Sequence, residues 1–304
     1  MKVHLQDGVA GNFLGGHSTA RRRLTDVNGV SVYVQFAVGA ERYAMEVARV
    51  LELCQMPEAG VTILPGATPA TLGVINLRGT ISRVLDTRAL LGYPTARQQA
   101  NDLQQMLAAR EQDHVGWLDE LRRCVDENTP FTKATDPTKC AFGKWYEQLR
   151  GDAAKRQDLT GGVSVLERLV DAFDEPHRRI HGLAETCLAL ASKGQQEAAR
   201  KMINDAWDGD LAKMKSLFAS LLSEFVGARR PMLIFVQNDT GRLALAVDRL
   251  YGISELQPEA QHRPFDQGPV PLQLRTAVAS DGVLVQVVDL NEVLALDAPT
   301  KAAA

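Results

Sequence analysis

The sequence predicts an α+β chain of more than one domain, in which an all-β domain is interrupted by an inserted bundle of four helices. Three observations lead there. Before residue 95, short β-branched and aromatic runs alternate with Gly and Pro. From about 96 to 227, apolar residues recur every three or four positions. After Pro231, strand-like runs return.

The first β stretch opens with Val32–Val38, followed by Arg42–Val50 and Val61–Leu64. Val74–Leu77 and Ile81–Leu85 are then separated by Arg78-Gly79. Strands this short and this often punctuated indicate a sandwich or barrel. The preceding residues, 1–30, are Gly-rich and aperiodic and read as a flexible tail. In the helical stretch, Leu103, Met106 and Leu107, then Trp117, Leu118 and Leu121, mark an apolar stripe. Breaks at Asn128–Pro137, Arg150–Gly162 and Ser192–Gly194 divide it into helices over 97–127, 138–150, 162–192 and 195–227, with a long loop at Gly151–Gly162. Strands follow at Met232–Gln237, Leu243–Val247, Tyr251–Leu256, Leu272–Ala279 and Val283–Val288. Turns are expected at Asn238–Gly241 and Ser280–Gly282. An even number of antiparallel helices returns the chain near its point of departure, so a bundle over 96–229 fits inside a β domain formed by 31–95 and 230–297. Three consecutive small domains are the alternative, but neither β half alone looks large enough to build a core.

Composition removes several function classes. The net charge is −3, with 45% hydrophobic and 23% charged residues. The charges are interspersed, so no basic face for nucleic acid and no polybasic membrane anchor is expected. Val61–Leu77 is broken by Pro65 and Pro69 and Leu217–Val226 carries Glu224, so no membrane-spanning helix is expected. The N-terminus lacks the apolar segment of a signal peptide, and a cytoplasmic location follows as an expectation. Cys54, Cys124, Cys140 and Cys187 are then free thiols, with Cys124 and Cys187 read as buried small hydrophobes.

The β segments resemble the CheW-type chemotaxis adaptor domain. The resemblance rests on Tyr33–Phe36 with Glu41–Met45, on Ile63-Leu64-Pro65, on Gly73-Val74-Ile75-Asn76-Leu77-Arg78-Gly79, and on Leu243–Asp248 with Leu284–Leu290. It implies a double-barrel β domain that scaffolds and does not catalyse. It also implies partners, namely chemoreceptor cytoplasmic tips and the chemotaxis histidine kinase, met around Asn76, Arg78 and Gly79. In residue terms, Gly79 suits a tight turn and Arg78 offers an exposed fork of donors. A plain surface ion pair between Arg78 and Asp86 is the competing reading.

Three of the six histidines, His114, His177 and His181, fall in the helical stretch. His177 and His181 stand four apart, so a helix presents both imidazoles on one face, and Pro176 suits its first turn. Cys140 opens a helix, where the dipole favours thiolate. One soft thiolate with three imidazoles suits zinc above harder cations. His114-x-x-Trp117, Cys140-x-Phe142-Gly143-x-Trp145-Tyr146 and His177-x-x-x-His181, in that order, closely resemble the chemoreceptor zinc-binding domain. That resemblance implies Zn2+ held by His114, Cys140, His177 and His181, with Cys140 as the redox-sensing residue for zinc availability or oxidants such as hypochlorous acid. Trp117, Phe142, Trp145 and Tyr146 read as packing around the site. A static zinc staple is the alternative. A zinc hydrolase is disfavoured because Arg178 occupies the position next to the first histidine where such enzymes keep a general base, and four protein ligands leave no place for water. A second copy of the chain, met through the helical bundle as a homodimer, is a further candidate partner.

Overall fold

The computed structural model describes residues 32–238, 241–258 and 275–295. The expected tail 1–30, the residues Asp239-Thr240 of one expected turn, and His4, His17 and His262 lie outside them. The chain divides into two compact units. One comprises the residues up to Thr95 together with those from Arg230 onward, and the other is Ala96–Arg229.

In the first unit, β1 (Val32–Val38), β2 (Glu41–Glu46), β3 (Val50–Gln55), β4 (Thr71–Leu77), β5 (Thr80–Asp86) and helix α1 (Thr87–Leu90) precede the helical segment. β6 (Met232–Asn238), β7 (Gly241–Val247), β8 (Arg249–Glu255), β9 (Gln257–Pro258), β10 (Arg275–Val278), β11 (Leu284–Val287) and a final helical turn, Leu290–Ala295, follow it. One sheet runs β8-β1-β2-β11-β10-β9 and the other β3-β6-β7-β5-β4. Each mixes strands from both sides of the interruption. β3 pairs with β6 through Cys54 and Leu233, β5 runs parallel to β7 with Leu85 beside Leu245, and β1 pairs with β8.

Strand alternation sorts the side chains into three cores. Val34, Phe36 and Val38 of β1, Tyr43 and Met45 of β2, Ile234 and Val236 of β6, and Leu245 and Val247 of β7 form one core shared by the two sheets. The opposite face of the five-stranded sheet buries Ile75, Val84, Leu233 and Phe235. That of the six-stranded sheet buries Ala44, Ala277 and Val285.

The β4–β5 hairpin turns on Arg78 (φ 54°) and Gly79 (φ 80°), the paired positive φ angles of a two-residue type I′ loop. Gly73 is needed for a second reason. Its φ is 148°, and a Cβ there would lie 2.3 Å from the carbonyl oxygen of Thr62, whose backbone bridges to Val74.

Two sequence expectations change here. Val61–Leu64 is not a strand but this single bridge, because Gly60 and Pro65-Gly66 confine it and Ile63 stands 74% exposed. Arg42–Val50 is interrupted by a 3-10 turn at Val47–Arg49. The Arg78–Asp86 pair is not formed. Those residues lie at opposite ends of the hairpin, roughly 20 Å apart at the usual strand rise. Arg78 instead lies 3.4 Å from Glu52. The Asp86 carboxylate accepts from the backbone N–H of Arg88 and Ala89 and so caps α1.

Buried Arg88 ties the two halves together where the helical unit begins. Its Nε and Nη2 donate to the two oxygens of Asp248 at 2.6 and 2.7 Å, and its Nη1 donates to the carbonyl of Pro94 at 3.0 Å. The backbone N–H of Gly39 also donates to Asp248, at 2.6 Å.

The second unit contains α2 (Ala96–Glu127), α3 (Ala141–Gly151), α4 (Ala153–Thr160), α5 (Ser164–Asp171), α6 (Asp174–Ser192), α7 (Gln196–Ala206), a π-helical stretch at Trp207–Leu211, and α8 (Ala212–Ala228). These make four limbs packed on one core that includes Leu118, Leu121, Phe142, Leu166, Phe173, Ile180, Ile203, Met214 and Leu221. The third limb, expected as one helix over 162–192, is two helices that part at Ala172-Phe173. The expected loop Gly151–Gly162 is mostly helix α4. Asp152 caps its start through the N–H groups of Ala154 and Lys155, and Gly161 ends it in the left-handed conformation. Among the described residues no helix is long and apolar enough to cross a membrane.

Replacing Asp248 with Ala leaves the buried Arg88 guanidinium without its two-pronged partner. The expected cost is about 3 kcal/mol in the opening free energy of β1 and β7. Native-state hydrogen exchange resolved by peptide measures it.

Candidate metal centre

Each member of the cluster is placed by local chemistry. On α2, the residues at 114, 117, 118, 121 and 125 share the buried stripe, so His114 faces inward with Leu118 and Leu121. Cys140 is the N-cap of α3, and its Sγ accepts from the N–H of Gly143 at 3.1 Å. The preceding 3-10 turn, Pro137–Lys139, is capped by Asp136. It passes so close to α3 that a Cβ on Gly143 would lie 1.8 Å from the Pro137 carbonyl oxygen. Glycine at that position is a packing requirement for the cysteine's turn. His177 and His181 lie one turn apart on α6. Pro176 sits within that helix's first turn, where a missing N–H leaves no helical bond broken.

One nitrogen from each histidine and the Cys140 Sγ all lie within 4.8 Å of one another. Sγ is 3.2 Å from His177 Nε2. Tetrahedral zinc with nitrogen and sulfur ligands sets its donors about 3.3–3.7 Å apart, so the cluster is within a short movement of that shape. His114 Nδ1 lies 2.7 Å from the carbonyl of Arg110 and His181 Nδ1 lies 3.1 Å from the carbonyl of Ala134. A carbonyl only accepts, so both Nδ1 atoms carry hydrogen and each Nε2 holds a lone pair. Those two Nε2 atoms are buried and have no hydrogen-bond partner among the described residues. A buried acceptor left unpaired costs about 1–3 kcal/mol, and here two such acceptors stand beside a third imidazole and a thiol. This donor set fits a zinc ion, with two of its imidazoles already oriented by backbone carbonyls.

The surroundings are largely buried. His114, His177 and His181 are buried, while Cys140 is half-buried. Phe142, wholly buried, meets the His177 ring at 4.8 Å, and Trp117 meets His181 at 4.9 Å. Burial, reinforced by the neighbouring imidazoles, lowers His177 to about 3 and His181 to about 4, and burial also lowers His114. Burial raises the Cys140 thiol, and the N–H groups of Gly143 and Phe142 only partly oppose it. The helix start therefore does not by itself give the thiolate that its position in the sequence suggests.

The remaining residues fall outside the cluster. Cys124 and Cys187 are fully buried, and burial pushes Cys187 up to about 11. Cys54 lies in β3. Arg178 is paired with Asp174 and Glu175 with Arg179, each at 2.6 Å. Glu185 is exposed, and the cluster contains no carboxylate that can act as a general base. Asn76, Arg78 and Gly79 are exposed at the β4–β5 hairpin. The supporting carbonyls of Arg110 and Ala134 are backbone groups, which no residue-type signal marks.

Two outcomes test this geometry. Gly143→Ala forces the Pro137 turn away from α3 and is expected to destabilise the helical unit by about 2–3 kcal/mol, read from urea unfolding followed by tryptophan fluorescence. In chelator-treated protein, the unfolded histidines near 6.5 bind protons more readily than the buried ones near 3 and 4. Stability contributed by the neutral imidazoles is therefore full above pH 6.5 and lost as pH falls toward 4. Unfolding midpoints measured across that window check the sign.

Comparisons with known proteins match two segments of the chain. The CheW-like domain family matches residues 32–118, and the chemoreceptor zinc-binding domain family matches residues 114–188, a span that contains all four donors. The chain is 33% identical over 87 residues to the chemotaxis protein CheW of Bacillus subtilis, a match covering 28% of this chain. It spans 53% of that relative's length. The crystal structure of the scaffolding protein TtCheW from Thermoanaerobacter tengcongensis aligns with a TM-score of 0.35 at 11% identity, over 86% of this chain and 90% of that one. Residues 32–118 thus resemble a CheW-like domain and residues 114–188 a chemoreceptor zinc-binding domain, and the four donors inside the second match form a set that fits zinc.

Proposed function

We propose that this chain is a chemotaxis scaffold that links chemoreceptor tips to the histidine kinase and reports zinc or oxidant status through a zinc-bound cysteine. The observation that carries the reading is the convergence of His114, Cys140, His177 and His181 inside the segment matched to the zinc-binding family. In this reading all four ligate one zinc in a closed site. The adaptor domain comprises 31–95 and 230–297, with 96–229 as the inserted sensor. Its support is that both sheets draw strands from both sides of the insert. Asn76, Arg78 and Gly79 form part of the receptor and kinase interface, consistent with their exposure on a rigid type I′ hairpin.

The sensing step belongs to Cys140, the one cluster member that is not fully buried. Ligation keeps its sulfur as thiolate, the form that reacts. With hypochlorous acid the sulfur lone pair takes the chlorine, releasing hydroxide. Water then displaces chloride and leaves the sulfenic acid, so sulfur is oxidised and chlorine ends as chloride. A sulfenic acid is a weaker donor than a thiolate. Losing one of the ligands that join α2, α3 and α6 loosens their packing. The covalent joints at 95/96 and 229/230 connect that change to the adaptor domain.

Protein prepared without chelator should carry about one zinc per chain, and the double variant His177→Ala/His181→Ala should carry none. Full zinc occupancy in that variant excludes the ligand set. Sub-stoichiometric hypochlorous acid should oxidise Cys140 ahead of Cys54, Cys124 and Cys187, release zinc and change kinase output. Equal reactivity of the four thiols, or flat output, leaves a static zinc staple. Arg78→Glu should weaken assembly with chemoreceptor and kinase in pull-down while preserving the far-UV spectrum. Unchanged assembly removes Arg78 from the interface.

A further inference from the structure

The segment between α2 and the Pro137 turn, residues 128–136, has little regular structure of its own, yet it is tied to α2 at several points. The N–H of Thr129 donates to the carbonyl of Cys124 at 3.0 Å, and the Cys124 thiol donates to the carbonyl of Pro130 at 3.5 Å. Phe131 meets the Trp117 ring edge-on at 5.0 Å, and Lys133 Nζ donates to the carbonyl of Gly116 at 2.6 Å. The last tie bears on the metal cluster. The indole Nε1–H of Trp117 donates to the carbonyl of Ala134 at 2.8 Å. The same oxygen faces His181 Nδ1 at 3.1 Å.

A carbonyl oxygen has two lone pairs and can serve both donors at once. The Trp117 ring is 4% exposed, so its N–H has no access to bulk water as an alternative acceptor. From these contacts we infer that Trp117 is a positioning residue for the metal centre. Its indole N–H fixes the Ala134 carbonyl, and that carbonyl holds His181 in the Nδ1–H form with Nε2 turned into the donor cluster. The inference rests on the proposed zinc site and deepens it, because it names a residue that sets the affinity of that site without touching the ion.

The spacing follows from helix geometry. His114 and Trp117 are three residues apart and share one face of α2. A single turn of that helix therefore supplies both a donor and the anchor for a second donor on α6. Any buried indole needs an acceptor for its N–H, but here that acceptor is the same carbonyl that faces His181 Nδ1, which a ring that only fills space does not require. Partners at this distance from a metal, when removed, weaken its binding about 10–100-fold.

The test uses the full chain and two independent readouts. In Trp117→Phe a ring remains against Phe131 and His181 while the N–H is lost. Zinc affinity by competition with a chromophoric chelator should fall about 10–100-fold, while the urea midpoint of the chelator-treated protein shifts little. Trp145→Phe, which alters the outer side of Phe142, should bind zinc as the wild type does. Unchanged affinity in Trp117→Phe overturns the inference. So does a loss of affinity fully matched by a loss of metal-free stability, which marks Trp117 as packing alone.

The second readout needs neither zinc nor a folded variant. In chelator-treated wild-type protein, NMR should show the Trp117 indole proton and the His181 Nδ1 proton both protected from exchange and both coupled to the Ala134 carbonyl carbon. Absence of either coupling overturns the inference even where zinc binds normally. Presence of both in protein that fails to bind zinc supports the anchor and rejects the zinc reading instead.

Discussion

Three imidazoles and a thiol meet in a pocket walled by Phe142 and Trp117, and two of the imidazole nitrogens meet no hydrogen-bond donor among the described residues. Protonation is opposed by the burial that lowers all three histidines. The arrangement of the helical unit depends on this point. α2 contributes His114, the start of α3 contributes Cys140, and α6 contributes both His177 and His181. In the proposed site a cation would satisfy the lone pairs and draw donors from three separate helices toward one atom, which would couple metal binding to helix packing. In that proposed site, chemistry that removed one donor would act on all three helices at once.

The β unit depends on a different constraint. Neither sheet is complete with strands from one side of the helical segment, since β3, β5 and β1 are paired with β6, β7 and β8. The interrupted chain must therefore return close to where it left. Four limbs, an even number, allow that return. Arg88 marks the departure point on the β side, holding Asp248 from beyond the insert and the Pro94 carbonyl just before it. A charged fork suits this position because it satisfies both groups with fixed geometry where an apolar contact would leave the Pro94 carbonyl unpaired.

Much of this was legible in the residues. The change in apolar period near 96 and again near 230 coincides with the two units, because helix and strand periodicities reflect which faces are buried. The i, i+4 spacing of His177 and His181 and the helix-opening position of Cys140 were readable for the same reason. Other features were not. Helix α4 hides in a polar stretch with little apolar stripe, and only its Asp152 cap and terminal Gly161 betray it. Val61–Leu64 has strand-like residue types, but Gly60 and Pro65 leave just one bridge. The break at Ala172-Phe173 carries no Gly or Pro. The supports of the metal site are backbone carbonyls, and an alanine at 134 gives no hint that its oxygen serves both His181 and Trp117. The raised thiol of Cys140 likewise follows from tertiary burial and not from its place at a helix start.

In the proposed site a single zinc is held by three imidazole nitrogens and one thiolate. Zinc K-edge X-ray absorption on the chain as purified without chelator measures that shell directly. The expected shell is four-coordinate zinc with three nitrogen scatterers at about 2.0–2.1 Å and one sulfur at about 2.3 Å, the sulfur disappearing in Cys140→Ser. A shell of nitrogen and oxygen alone in the wild-type protein, or a sulfur that persists in Cys140→Ser, contradicts it.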